Sequence, residues 1–280
     1  MKFQLIAEQW SHVAKTYSTN FMAEIPHLFA DIAASNIIQH ADGKPINFLD
    51  VAAGKGAFTE NLLRQLSASQ LEISSITATD FSVGMIDGAR EIIEALAVSQ
   101  PIKKSFLVMD AQELSFDNNT FSHVGCMFGT MFFPDRHKGL NEMYRVLEPG
   151  GLVVIGTWHH MDTVDIVADF GRFVGLPYLA ENKAAMAEVV AAGSDRVVLA
   201  AELTAAGFSD VAVHVHKRTL YLPNTIETYN NVIGGAAKRP DSTEAETAEL
   251  YARWVEFLDT AAGRDRWVSA EGGQVMIDFI

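Results

Sequence analysis

Over residues 3 to 17, Phe3, Ile6, Trp10, Val13 and Tyr17 recur at helical spacing and share one face. A second helix is predicted from near Pro26, carrying Leu28, Phe29, Ile32 and Ile37. Both precede the first strand, so they form either a packing cap or a lid over a site, and residues 1–40 are taken as that helical segment. The period then changes. Ile46, Phe48 and Leu49 lead a strand at 46–51, followed by a helix at about 56–67 through Phe58, Leu62, Leu63 and Leu66. Ile73 to Thr79 is β-branched and ends at Asp80, ahead of a helix with Met85, Ala89, Ile92 and Leu96. Ser105 to Met109 is a third strand, ending at Asp110, and Phe121 to Phe128 a fourth. Leu140, Met143, Tyr144 and Leu147 mark the next helix, which Pro149-Gly150-Gly151 breaks before a fifth strand, Leu152 to Thr157. Alternation on this scale predicts an α/β fold, a doubly wound parallel sheet with helices on both faces.

After Trp158 the pattern loosens. Helical stretches at about 163–174 and 181–192 are separated by Gly175-Leu176-Pro177. A helix at 195–206 is stopped by Gly207 and followed by a predicted strand, Val211 to His216. A further helix starts at Asn224 or Thr225, and another runs from Thr243 to about Ala262. Thr243 and Glu246 have capping-box spacing, and Gly263 suits the helix end. The last apolar run, Gln274 to Ile280, reads as a strand after a Gly272-Gly273 turn, which suits pairing with Trp267-Val268. Residues 159–194 and 219–266 are read as helical insertions on one sheet. That makes residues 1–280 a single domain, with its core at 46–158 and its final strand within 267–280.

Charge narrows the partners. The chain has 35 acids against 21 bases, a net charge of -14, and no long basic run, so nucleic acid is not an expected partner. The one cysteine, Cys126, excludes an internal disulfide and a four-cysteine zinc site. Glu8, Gln9 and His12 interrupt the N-terminal stretch too early for a signal peptide, and no apolar run is long enough for a membrane span. A cytoplasmic location and a small-molecule partner are expected, with oligomeric state left open.

Candidate chemistry sits at strand ends. Asp50, Asp80 and Asp110 end the first three predicted strands, so all three fall on the carboxyl rim where open α/β sheets bind ligands. One acid after a strand is ordinarily a helix cap. Three in register, beside the small-residue turn Ala52-Ala53-Gly54-Lys55-Gly56, are poorly explained by capping alone. Asp80 lies 24 residues beyond Gly56, a spacing suited to gripping ribose hydroxyls, and Asp110 is placed to accept from an adenine amino group. A dinucleotide fingerprint needs a third glycine, but Gly54-Lys55-Gly56 continues as Ala57-Phe58-Thr59, and Asp50 would repel a pyrophosphate. NAD use is a minor alternative, and a P-loop fails because neither Ser nor Thr follows Lys55.

Leu49-Asp50-Val51-Ala52-Ala53-Gly54-Lys55-Gly56 resembles the first motif of class I S-adenosylmethionine-dependent methyltransferases. Thr79-Asp80-Phe81-Ser82 with Met85, Met109-Asp110-Ala111, Arg145-Val146-Leu147-Glu148-Pro149-Gly150-Gly151 and Ala206-Gly207-Phe208 extend the likeness in order across residues 46 to 216. The resemblance implies a Rossmann-like sheet of seven strands, the last inserted antiparallel. Its cofactor is S-adenosyl-L-methionine and its product S-adenosyl-L-homocysteine. By the same resemblance Asp50 orients the methionine ammonium, while Ala52, Gly54 and Gly56 form the loop around the methionine moiety. Asp80 holds the ribose, Phe81 and Met85 sandwich the adenine, and Asp110 with Ala111 reads its edge. Met127 faces the ammonium end, and Tyr17 is a further cofactor candidate. His123 replaces the family's acid in the fourth strand.

Phe128-Gly129-Thr130-Met131-Phe132-Phe133-Pro134-Asp135 is similar to quinone-biosynthesis-type and small-molecule methyltransferases, including natural-product thiol methyltransferases. Trp10, Phe128, Phe132 and Trp158 are candidates for the acceptor pocket, although each is as readily a core aromatic. No metal is expected, since the nine histidines show no ligand spacing. A sulfonium methyl is already activated, so alignment and exclusion of water carry most of the reaction. Where an acceptor must lose a proton, His159 is the candidate base, ahead of His160, against the plainer reading of both as loop residues. Transfer to oxygen, sulfur or carbon is left open. A module that binds the cofactor without methylating is the second reading.

Overall fold

A computed structural model describes residues 11, 14, 24–67, 71–98, 101–179, 195–234, 243–269 and 274–279. The expected helix at 181–192, and Trp10 and Tyr17 of the first helix, lie outside the described residues. Two compact units emerge, the first made of residues 1–157 and 196–213, the second of 158–195 and 214–280.

The first unit opens with α1 (Glu24–His40), then β1 (Ile46–Val51), α2 (Ala57–Leu66), β2 (Ile73–Asp80), α3 (Val83–Ala95) and β3 (Lys103–Val108). It continues with β4 (Phe121–Met127), a 3-10 turn at Thr130–Phe132, α4 (Arg136–Val146) and β5 (Leu147–Gly156), and α6 (Arg196–Ala206) completes it. The five strands are parallel in the order β3-β2-β1-β4-β5. Strand order reverses beside β1, and the crevice between β1 and β4 is where such sheets bind ligands.

Alternation along β1 sends neighbouring residues to opposite faces. Phe48 packs with Ala34 and Ile37 of α1, Phe58 and Leu62 of α2, and Ala89 and Ile93 of α3. Leu49 and Val51 pack on the other side with Leu140 and Met143 of α4 and Leu199 and Leu203 of α6. Gly125 of β4 lies opposite Asp50. A Cβ there would sit 2.2 Å from the Phe58 ring and 2.9 Å from Phe48, so the strand comes this close to α2 only as glycine.

Two expectations for this unit are corrected. Pro149-Gly150-Gly151 does not precede the fifth strand but lies inside it. Phe121 pairs with Leu147 and His123 with Leu152, so the intervening residues bulge and Gly150 takes a φ of 77°. No ladder forms at 211–216 either. Val211 and Val213 pack against the core, but His214, Val215, His216 and Lys217 are all exposed, a pattern that cannot fill a strand covered on both faces.

A polar cluster sits near the starts of β1 and β4. Ser122 Oγ meets His123 Nδ1 at 2.8 Å, and His123 Nε2 meets His40 Nδ1 at 3.1 Å. His123 is 3% exposed, and burial, with a smaller contribution from His40, holds it down at about 4. The unfolded chain protonates this ring near pH 6.5, whereas the folded protein resists until about 4. Its contribution is therefore complete above pH 6.5 and declines by up to about 3 kcal/mol as pH falls to 4. Urea unfolding of wild type and His123→Gln at pH 7 and pH 4.5 should show the wild type losing more stability on acidification. Equal losses would remove His123 from the acid sensitivity.

The second unit contains α5 (Asp162–Val174), β6 (Arg218–Pro223), α7 (Ile226–Tyr229), a π turn at Asn230–Gly234, α8 (Glu244–Asp259), α9 (Ala261–Trp267) and β7 (Gln274–Phe279). The final strand is antiparallel to β6 over Arg218–Phe279 to Pro223–Gln274, in a two-stranded sheet of its own. Among the described residues the main sheet thus has five strands, not seven, and the last strand joins a different sheet. Of its expected partners Trp267-Val268, Trp267 ends α9 and Val268 is an isolated bridge residue in no strand, with the Ser269 amide to Gln274 carbonyl bond (2.9 Å) beside them.

The capping box forms, with Thr243 Oγ1 accepting from the Glu246 amide at 3.2 Å and Glu246 Oε2 accepting from the Thr243 amide at 2.7 Å. The helix behind it ends at Asp259, and Thr260 caps α9 by accepting from the Gly263 amide at 3.0 Å. Gly263 is therefore buried inside α9 rather than ending the longer helix. Phe170, Tyr229, Trp254 and Phe257 form an aromatic core, with Phe170 and Trp254 edge to face at 5.6 Å. Among the described residues, no helix is long and apolar enough to cross a membrane.

Candidate active site

Asp50 stands one residue from the end of β1 and Asp80 at the end of β2. Between β1 and α2 the chain turns through left-handed conformations at Ala52 (φ 53°), Gly54 (φ 54°) and Gly56 (φ 84°). An alanine in that region is uncommon. Open space lies in front of Gly54, whereas a Cβ on Gly56 would meet Ile93 at 2.7 Å. Gly54 thus faces outward, and Gly56 lets α2 start against α3.

The loop is tied to β2. The Gly54 amide donates to Asp80 Oδ2 at 3.0 Å and the Ser82 amide to Oδ1 at 2.9 Å. Each oxygen keeps a lone pair for another donor. Burial raises Asp80 to about 6, against the lowering effect of the Ser82, Gly54 and Phe81 amides. Asp50 is more enclosed, at 1% exposure. Its Oδ2 accepts from Thr59 Oγ1 at 2.7 Å and from the Thr59 amide at 3.3 Å, while Oδ1 is buried with no partner among the described residues. Burial pushes Asp50 up to about 7; the Thr59 bonds oppose this, and Asp80 adds to it. A buried acceptor without a donor is costly, and a cationic or hydroxylic ligand relieves that cost while a phosphate does not.

Asp110 lies just beyond β3, which ends two residues earlier, at Val108. Its Oδ1 accepts from the Gln112 amide at 2.9 Å and from Gln112 Nε2 at 3.1 Å, and Gln112 Oε1 accepts from the Asp135 amide at 2.8 Å. Ala111 is buried in the core beside it. Phe81 is half-buried, but Met85, at 3% exposure, is already covered by protein. Met127 ends β4, half-buried, and Phe128 follows with a φ of 57°, edge to face with Phe29 of α1 at 5.8 Å. A Cβ on Gly129 would lie 2.6 Å from that of Ala52, so the β4 turn closes onto the β1 loop. Phe132 is exposed.

The structure therefore gathers Asp50, Ala52, Gly54, Gly56, Asp80 and Phe128 around the β1–β4 crevice. Thr59 and Gln112 support two of the acids and went unnoticed in the sequence. A threonine beside Phe58 and Leu62 in the buried stripe of α2 was the available signal for Thr59. For Gln112 it was its position two residues after Asp110.

In the second unit Trp158 is buried and His159 exposed. His160 Nε2 meets Asp162 Oδ1 at 3.0 Å and Asp165 Oδ2 at 3.4 Å, bringing together three groups of metal-ligand type. No metal-ligand spacing was expected among the histidines, although His160-x-Asp162-x-x-Asp165 is the trace of this group in the sequence. Arg266 already pairs with Asp165 at 2.9 Å, supplying positive charge there.

Residues 4–216 match the family model described as the ubiE/COQ5 methyltransferase family. A demethylmenaquinone methyltransferase of Bacteroides fragilis is 38% identical over 112 residues, 40% of this chain and 43% of that protein. The methyltransferase tpcH of Aspergillus fumigatus is 28% identical over 137 residues, 49% of this chain and 48% of its own length. The match to these two curated relatives thus spans about half of their length or less. A demethylmenaquinone methyltransferase of Thermobifida fusca is 31% identical over 173 residues, 59% of this chain and 69% of that protein. A crystal structure from Bacillus halodurans C-125, described as a candidate methyltransferase, superposes with a TM-score of 0.52. It has 18% identity and covers 88% of this chain and 94% of its own.

Proposed function

Because this chain belongs to the ubiE/COQ5 methyltransferase family, we propose that it transfers a methyl group from S-adenosyl-L-methionine to a small-molecule acceptor. The observation that carries the reading is the buried, unpartnered Asp50 Oδ1 beside a turn with open space at Gly54. Those acceptor oxygens fit an ammonium group and a ribose and are wrong for a phosphate. When bound, the cofactor supplies an activated methyl on a sulfonium.

In this reading Asp50 receives the ammonium, with Ala52, Gly54 and Gly56 giving close backbone approach. Asp80 takes the ribose hydroxyls through the lone pairs its amide donors leave unused. Phe81 flanks the adenine, with Met85 lying beneath it in the core, and Asp110, held by Gln112, accepts from its edge beside Ala111. The Met127 carbonyl faces the ammonium end, Tyr17 is proposed for a further cofactor contact, and Trp10, Phe128, Phe132 and Trp158 for the acceptor pocket. The acceptor class is small and aromatic or apolar, methylated at oxygen, sulfur or carbon, in line with relatives named for menaquinone biosynthesis. His159, the exposed member of its pair, is put forward as the base where a proton must be removed. We read the whole chain as one methyltransferase domain, with the second unit as its insertions.

The test uses tritium-labelled S-adenosyl-L-methionine with panels of quinols, phenols and thiols. Label should appear in an extractable product of at least one panel. Calorimetry showing that the protein binds neither the cofactor nor S-adenosyl-L-homocysteine would overturn the reading.

A further inference from the structure

Thr59 lies in the first turns of α2 and is 0% exposed. Its hydroxyl and its amide both donate to one oxygen of Asp50, at 2.7 and 3.3 Å. Two donors on Oδ2 fix the plane of the carboxyl group and turn Oδ1 the other way, still buried and unpartnered among the described residues. Turning the carboxyl out of this plane would break both bonds. The helix thus fixes the direction in which the remaining oxygen of Asp50 points.

We propose that Thr59 is a positioning residue, which holds Asp50 so that its unpartnered oxygen meets the ammonium end of the cofactor and which lowers the cost of ionising that carboxyl when the cation arrives. The proposal rests on the methyltransferase reading and specifies how the cofactor's charge is recognised.

Three elements bring relevant groups to Asp50. α2 contributes Thr59, β2 contributes Asp80, whose charge disfavours a second carboxylate nearby, and β4 contributes Cys126, a fully buried thiol pushed up by its own burial and by Asp50. Burial alone favours the neutral acid, and the Thr59 bonds are the main opposing influence. An arriving ammonium selects the carboxylate, so binding in the range where the free protein holds the proton must release it. Without the Thr59 hydroxyl that range extends to higher pH.

Calorimetric titration of wild type, Thr59→Val and Thr59→Ser with S-adenosyl-L-homocysteine, from pH 6 to 9, tests this. The control is 5′-methylthioadenosine, which keeps the adenine and ribose but lacks the amino-acid end. Thr59→Val should bind S-adenosyl-L-homocysteine about tenfold more weakly at pH 6.5, closing to within about threefold at pH 9. Thr59→Ser should follow wild type, and the control ligand should bind all three proteins alike. Wild type titrated in two buffers of different protonation enthalpy should release more protons with S-adenosyl-L-homocysteine than with the control at pH 6.5. Equal proton release for the two ligands overturns the proposal even if Thr59→Val does not fold. A Thr59→Val deficit that is constant with pH, or shared by the control ligand, also overturns it, because a purely structural role would look that way. A wild type that binds none of these ligands overturns the methyltransferase reading itself.

Discussion

Asp80→Ala should weaken S-adenosyl-L-methionine binding by about 1.5–3 kcal/mol, roughly ten- to a hundredfold, because charge-assisted hydrogen bonds to the ribose are lost. Beside the ribose contact proposed for it, the carboxylate accepts from the amides of Gly54 and Ser82 and so ties the β1 loop to the start of α3. Alanine removes both ties along with the ribose contact. Asp80→Asn keeps one acceptor and should cost less, which separates charge from loop geometry. Calorimetry with S-adenosyl-L-methionine, beside a thermal melt confirming that each variant folds, reads the difference. Unchanged affinity in a folded Asp80→Ala protein would falsify the ribose assignment.

The largest stability effect is expected in the second unit. Trp254 is 0% exposed and packs against Phe170, Tyr229 and Phe257, so Trp254→Ala should destabilise by about 3–5 kcal/mol through the cavity it leaves. Its indole Nε1 is buried without a partner among the described residues. Trp254→Phe removes that unpaired donor and leaves a smaller void, so it should cost well under half as much. Urea titrations followed by far-ultraviolet circular dichroism compare the two. If phenylalanine proves as damaging as alanine, the indole nitrogen has a role that packing does not explain.

Local pattern told most about the parallel sheet. β1 and β4 are found where their apolar runs lie, and acids mark the ends of β1 and β2 because a buried strand must become polar where it reaches the rim. β3 shows the limit of that logic. It ends at Val108, short of the acid expected to close it, since its outer end is exposed and lacks an alternation to fix the boundary. The pairing of β7 was not legible because register between β6 and β7 depends on segments more than fifty residues apart. Gly263 misled for a related reason, as a glycine that ends one helix and a glycine packed inside the next look alike in sequence. Within the site, residue types revealed the acids. Their supports, Thr59 and Gln112, were hidden because a buried hydroxyl or amide becomes informative only once its partner is known.

The interleaving of the two units has a consequence for synthesis. All five parallel strands are complete once residue 156 has been made, but the apolar surface around Leu140 and Met143 is finished by Leu199, Leu203 and Phe208. Those residues arrive only after the 38 residues of Trp158–Asp195 have been translated. At ribosomal speeds of about 5–20 residues per second the delay is about 2–8 seconds, far longer than the collapse of the sheet itself. During that interval the nascent chain carries a folded sheet with one greasy side uncovered, with Tyr144 still lacking the Phe208 ring it will meet at 5.2 Å. Aggregation through that side is thus expected while the chain is being made, and slowing translation beyond residue 157 should lengthen the interval.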